Sequence, residues 1–291
     1  MEKVLTNIYE VFKKDENTKG IVAYESKQTF NASTDHFHMI MLVIIHSSKT
    51  IYQIKHYQYL QRKIAVYTMD ERTLHHLLIT GESKRLVRWL LNGEIIFERD
   101  LFMTKTIKLL KAFPVDERQK KMGVEFAKFL FHFTKAKELF GYQHHFDSYN
   151  HVVHALHHLA HLAVAEYGVH PELTVWKQVK EIDLETYKLY EEFITSNELL
   201  EKKLELLFLA CDFSVVTKLK MGSLHLVNIM QKRNRLWSIQ DLVRQEELKM
   251  YSLYLVTLLE FLVEKDIVKV VGVETTIANL NERLYFVEKS S

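Results

Sequence analysis

The sequence predicts an α+β protein in three parts. These are a mixed sheet with helices over residues 1–114, a helical bundle over 115–220 and a winged helix over 221–291. Three observations predict the sheet–bundle–hairpin order. Short apolar runs rich in Ile, Val, Tyr and Met fall in the first hundred residues and the last thirty. Between them the apolar residues recur at helical spacing. The 291 residues hold only 8 Gly and 2 Pro, which suits long helices and excludes a sandwich of many tight turns.

Each element follows from its pattern. Leu5, Ile8, Tyr9 and Phe12 share one helix face, which predicts a helix over 2–14. Gly20 to Tyr24 predicts a short strand. Residues 38–45, apolar on both faces, predict a central strand. Two further strands, Ile51 to Tyr57 and Arg62 to Thr68, precede helices over Asp70 to Leu78 and Ser83 to Leu91 and a last strand, Glu94 to Phe97. Pro114 suits a helix start, where its missing N–H costs nothing. Helical periodicity follows over 115–139, 146–167, 184–194 and 199–219. In the last part 223–233 suits a helix, and Ser238 suits an N-cap with Asp241 three residues on. Residues 250–264 suit a third helix, and Ile267 to Val273 with Arg283 to Glu288 a hairpin. Helix, helix, helix, hairpin is the order of a winged helix.

Composition excludes several classes. A net charge of +2 gives the whole molecule no basic field for nucleic acid. A single cysteine, Cys211, excludes an internal disulfide and fits a reducing compartment. The N-terminal stretch carries charges throughout, unlike a secretory leader. The longest apolar run, Met39 to Ile45, is too short to cross a bilayer. The chain is therefore expected to be soluble and cytoplasmic, with no membrane partner.

Ala23-Tyr24-Glu25-Ser26 follows the first strand, Asp35 opens the second, and Lys63 to Tyr67 forms a later one. This layout resembles the nucleotidyltransferase superfamily. The segments Asp147 to Ala160 and Pro171 to Val179, with the sheet–bundle–winged-helix order, resemble the nucleotidyltransferase-like proteins of Bacillus-type bacteria over nearly the whole chain. In those a helical domain like that of the aminoglycoside-modifying enzymes follows the sheet. The resemblance implies a Gly-Ser turn cradling phosphates, two carboxylates at the mouth of the second strand and a third on the next strand. Together they would hold magnesium, a small hard ion that takes oxygen ligands.

The residues depart from that pattern at each point. Glu25 stands where the turn needs Gly. Asp35 matches one carboxylate, but its partner position is Phe37 or His38. The third falls near Ala65, and His36 to Met69 contains no Asp or Glu. The nearest acid beyond is Asp70, about 16 Å further along an extended strand. Asp35, His36 and His38 could in principle serve a borderline metal. Strand alternation, however, sends Asp35 to one face and both histidines to the other unless the strand starts after Asp35.

Histidine is the second signal. His144, His145, His151, His154, His157, His158, His161 and His170 lie within 27 positions. His151, His154, His158 and His161 form a helical stripe, and His154 with His158 has zinc-ligand spacing. No acid lies on the stripe, so a surface or cleft-lining row without metal is expected. Lys84, Arg85 and Arg88 make a small basic helix face, solvated by default.

The expected function is a non-catalytic nucleotide or small-molecule binding and regulatory role, with no cofactor and a ligand cleft between the first two parts. Ser26, Asp35, His38, Tyr149, His154, His158, Trp176 and Lys177 are the candidate contacts, and Asp35 is the one vestigial catalytic candidate. Two alternatives stand beside it. One is an active magnesium-dependent nucleotidyltransferase with atypical ligands around Asp35. The other is a DNA-binding regulator. The third helix, MYSLYLVTLLEFLVE, has none of the Arg, Lys, Asn or Gln that read base edges and carries Glu260 and Glu264, so a protein contact or self-association through the winged helix is favoured over DNA.

Overall fold

A computed structural model of the chain describes residues 9–26, 34–80, 84–172, 174–232, 235–277 and 279–288. The chain divides into two compact units, residues 1–114 with 170–174, and residues 115–169 with 175–291.

The first unit is built on a five-stranded mixed sheet of order β3-β4-β2-β1-β5. Its strands are β1 (Thr18–Glu25), β2 (Met39–Ile45), β3 (Tyr52–Tyr59), β4 (Arg62–Asp70) and β5 (Glu94–Glu98). β2 runs parallel to β4, and the other pairs are antiparallel. β2 is central because both of its faces are apolar. Ile40, Leu42 and Ile44 pack on one side with Leu86, Trp89 and Met103. Met39, Met41 and Val43 pack on the other with Ile21, Tyr9 and Phe12. Tyr9 and Phe12 belong to α1 (residues 9–13); the rest of the N-terminal helix expected over 2–14 lies mostly outside the described residues. Helices α2 (Glu71–Thr80), α3 (Lys84–Asn92) and α4 (Phe102–Ala112) complete the first unit. The sequence reading left α4 unassigned, although Met103, Ile107 and Leu110 share a face and pack into the core.

Asp70 ends β4 and is buried. Its carboxylate accepts the N–H groups of Ile51 (2.7 Å), Arg72 (3.0 Å) and Thr73 (3.1 Å), and the Thr73 hydroxyl (2.6 Å). Burial opposes its charge, yet these donors outweigh burial and hold its pKa below the ordinary value. Asp70 thus fixes the strand-to-helix corner, at the end of β4 opposite the mouth of β2.

The second unit begins with α5 (Val115–Gly141) and α6 (His145–Glu166), followed by α7 (Val175–Ile182), α8 (Leu184–Thr195) and α9 (Leu200–Lys232). α7 is a further helix that the reading of residues 168–183 missed. A short α10 (Ile239–Val243), a 3-10 segment (Glu246–Tyr251), α11 (Tyr254–Glu264) and the hairpin β6 (Lys269–Glu274) and β7 (Asn281–Phe286) make the winged helix. Ser238 and Asp241 form a reciprocal capping box: the Asp241 N–H donates to Ser238 Oγ (3.1 Å), and the Ser238 N–H to the Asp241 carboxylate (3.2 Å).

A boundary at 220/221 does not appear as a break. α9 is continuous for 33 residues, and the helices expected over 199–219 and 223–233 are one. Gly222 sits inside this helix although glycine usually weakens one. Its role is close approach. A Cβ at Gly222 would overlap Cβ, Cγ and Cδ1 of Phe126, a buried residue of α5. Gly222→Ala is therefore expected to lower stability. Overpacking costs ~1–3 kcal/mol against the ~1 kcal/mol that alanine returns in helix propensity. A thermal melt checks it, and Gly222→Leu should be worse.

Candidate functional site

Two places carry the residues the sequence singled out, one in each unit. In the first unit, the mouth of β2 is a turn, with the Phe37 N–H donating to the Thr34 carbonyl (2.9 Å). Asp35 and His36 are in left-handed backbone, at φ 47 and 66. The strand therefore starts after Asp35, and the alternation that would have placed Asp35 opposite the histidines does not apply. The Asp35 carboxylate instead forms an ion pair with the Arg85 guanidinium of α3. Arg85 is thus not merely part of a solvated basic face. Nearby Tyr67 feels burial first and the Asp35 charge second, and its hydroxyl pKa is raised. Its ring packs 4.9 Å from that of Trp89.

His38 is sewn into the sheet. Its N–H donates to the Lys63 carbonyl (3.0 Å), and its carbonyl accepts the Ser26 N–H (3.0 Å). Its Nδ1 accepts the Lys63 N–H (3.1 Å), which leaves the ring proton of neutral His38 on Nε2. The expected turn over Ala23 to Ser26 is not a turn. Ala23, Tyr24 and Glu25 continue β1, paired with Met41, Ile40 and Met39. The reason is the apolar face that β2 offers along its whole length. Glu25 pairs with Arg62 (3.0 Å). Ala65 lies beside Ile40 and is fully buried. Magnesium fits this donor set poorly. Each of the two acids placed here, Asp35 and Glu25, already faces a guanidinium, and the other positions offer aromatic, imidazole or methyl groups.

In the second unit, α6 lays its histidines against α5. The row is not a free surface stripe. His132 of α5 stacks on His154 (ring centroids 5.0 Å) and His158 (5.6 Å), and its Nδ1 lies 3.1 Å from that of His151. One nitrogen of that last pair donates and the other accepts, so two positive rings are disfavoured there. Burial, then the neighbouring His158 and His154, lowers His132 to a pKa of about 4. His154 is the exposed member of the row, and His161 is buried.

The carboxylate that the stripe lacked comes from Glu125 of α5. Its Oε2 accepts Nδ1–H of His158 (2.8 Å) and of His161 (3.2 Å), and its Oε1 lies 3.0 Å from Lys121 Nζ. Glu125 and Lys121 are both buried. Burial opposes the carboxylate's charge. Lys121 and the two imidazoles overcome it and hold its pKa well below the usual range. The missed signal was a polar stripe, Lys121, Glu125, Lys128 and His132, on a helix otherwise rich in Phe.

The other candidates are packed. Tyr149 stacks on Phe193 (5.3 Å), and Trp176 stacks on Tyr190 at 3.9 Å and 7° while joining the α6–α7 core. Lys177 is exposed beside it. The structure thus brings His154 and His158 together through His132, and gives Tyr149 and Trp176 places in helix packing.

A mixed sheet leading into a helical bundle and a winged helix defines a nucleotidyltransferase-like protein with a substrate-binding-type domain and a helix-turn-helix domain. The comparisons agree: residues 1–118 match the nucleotidyltransferase-like family, 119–218 the YgxA-like substrate binding domain, and 224–287 a helix-turn-helix domain. The chain belongs to the YgxA family of nucleotidyltransferase-like proteins. It is 35% identical over 275 residues to the uncharacterized protein YgxA of Bacillus subtilis (strain 168), covering 94% of this chain and 93% of that one. It is also similar to the crystal structure of a nucleotidyltransferase-like protein from Exiguobacterium sibiricum 255-15, at 33% identity and TM-score 0.87 over 99% of both chains. Among the described residues no helix is long and apolar enough to cross a membrane.

Ligand atoms of Glu125, His158 and His161 lie within 4.8 Å of one another. Charge argues against a dication there. Lys121 already neutralises the one carboxylate, and a divalent ion would leave an uncompensated double charge in a buried site. Elemental analysis of untagged protein should find well under one zinc, manganese or iron per chain. A stoichiometric metal lost on His158→Ala would overturn this.

Proposed function

We propose that the chain is a non-catalytic member of its family, a binding and regulatory protein on a nucleotidyltransferase-like scaffold that takes a nucleotide or another small molecule. The observation that carries this reading is the Asp35–Arg85 ion pair. A catalytic carboxylate of this fold must keep its oxygens for the metal that neutralises the triphosphate. Here a side chain of the same protein supplies the positive charge, and His38 and Ala65 cannot add oxygen ligands. The exposed end of the histidine row, His154 over His132 and His158, is the proposed small-molecule contact in the substrate-binding-type domain.

Two measurements separate binding from turnover. Incubation with each labelled nucleoside triphosphate, magnesium or manganese and a panel of hydroxyl acceptors should give no steady turnover. In a melt, a bound ligand at a hundred times its Kd adds about 2.7 kcal/mol, readily seen as a raised Tm. His154→Ala should remove that shift. Turnover abolished by Asp35→Ala would sink the non-catalytic reading.

The winged helix, in the same reading, contacts protein or a second copy rather than duplex DNA. Glu260 of α11 accepts from Arg283 (2.8 Å) and the Tyr285 hydroxyl (2.8 Å) of β7, so the wing's arginine is engaged by the helix that would read bases. Leu253 and Val256 on the helix side and Val271 and Val273 on the hairpin are exposed. Phosphate contacts need free Lys and Arg, whereas Arg235 lies over the Trp237 ring (4.2 Å) and near Asp241 (3.9 Å). Titration of random and genomic duplexes at moderate salt should give no tight sequence-selective complex. A sub-micromolar one with marked preference would count against the assignment.

A further inference from the structure

α9 is apolar on two opposite faces. One face, including Leu204, Leu207, Cys211, Val215 and Leu226, is buried within the second unit. The other carries Leu206 (50% exposed), Leu209 (72%), Phe213 (68%) and Val216 (66%), and Leu199 (81%) stands just before the helix. Leu206, Leu209, Phe213 and Val216 follow 3-4-3 spacing, the seam of a two-helix coiled coil. Surface helices ordinarily put polar residues opposite the core. A contiguous exposed row of this kind marks an interaction site.

We propose that this seam pairs with the same seam of a second copy, antiparallel, about a two-fold axis passing near Cys211. The spacing is self-complementary in that register. Leu206 then faces Val216 of the partner subunit, and Leu209 faces Phe213 of the partner subunit. The register also makes a demand that the structure meets independently. It sends the highly exposed Leu199 to the partner subunit's Ser223. Around Ser223, α9 carries an apolar cavity of about 310 Å³ lined by Lys220, Ser223, Leu224 and Val227, with Ile267 at its side. Four residues at i, i+3, i+4 and i+7 are the hole that receives a knob in such a pairing. The small, buried Ser223 gives the hole its depth.

From the start of α9 to Ser223 the seam runs about 35 Å along the helix. One charged crossing is included, Lys202 against the partner subunit's Lys220. Glu205, 3.0 Å from Lys202, offsets it. Cys211 sits on the buried face, and burial followed by the Asp212 charge pushes its thiol up to about 12, so it stays out of cross-linking.

Sedimentation of the full chain over about 1 to 100 micromolar tests the pairing, since association follows mass action. A dimer is expected. Leu209→Glu with Phe213→Glu should give a monomer with an unchanged far-UV spectrum, because both side chains are exposed. Leu199→Ala should weaken the dimer several-fold. Mixing a Leu206→Cys chain with a Val216→Cys chain should trap a disulfide-linked heterodimer under mild oxidation. A monomer throughout overturns the proposal. So does a dimer that survives the double glutamate variant, or cross-linking of Leu206→Cys mainly to itself, which would report a parallel pair.

Discussion

The second unit depends on one buried charge. Glu125 lies in the interface between α5 and α6, where an ionised carboxylate costs several kcal/mol unless it is answered in full. Lys121 answers one oxygen, and His158 and His161 answer the other. That arrangement fixes more than one pair. It places the His158 and His161 protons on Nδ1 and turns that face of α6 toward α5. His132, stacked on His158, is pushed to a pKa of about 4, first by its own burial and then by the neighbouring His158 and His154. His132 thus joins the α6 histidines in a stacked imidazole row.

The same internal compensation governs the first unit. Asp35 has Arg85, Glu25 has Arg62, and Asp70 has a set of backbone and hydroxyl donors. In an active site of this fold the uncompensated carboxylates are the function. They are kept close together at a cost in stability, because the arriving metal repays it. At this strand mouth the chain's own arginines face Asp35 and Glu25. β1 also runs on through the expected phosphate turn. With Glu25 engaged by Arg62, nothing requires the backbone there to open, and the ladder to β2 continues to Met39.

Most of the fold was legible, because it is written in local periodicity. β2, β4, α5, α6 and the Ser238 cap follow from residues within a few positions of one another. What was illegible is set by residues far apart. Gly222 reads as a helix breaker until Phe126, almost a hundred positions away, is seen to need its missing Cβ. Glu125 reads as one half of an i,i+4 pair with Lys121 until α6 arrives with two imidazoles. Asp35 was found from sequence, as was the absence of acids near it, but its partner Arg85 was assigned to solvent because fifty residues separate them. Trp176 and Tyr149 were candidate contacts by residue type alone, and their stacking partners Tyr190 and Phe193 lie on α8.

The continuity of α9 constrains how the second unit could transmit a signal. The matched substrate-binding domain ends at 218 and the helix-turn-helix domain begins at 224, yet one helix runs through both without a kink-forming proline. A hinge at that junction would need helical hydrogen bonds to break. It would also need Gly222 to leave its seat on Phe126. Any change in the bundle therefore reaches the winged helix as rotation or sliding of a rod about 50 Å long. The seam lies on the side of that rod away from the bundle core. Pairing two rods through it would hold two winged helices in a fixed two-fold relation, so that a shift of α5 against α9 in one copy changes the spacing of the pair. In this arrangement each apolar face of α9 has its own partner, Phe126 and the core of the second unit on one side and the second copy's seam on the other.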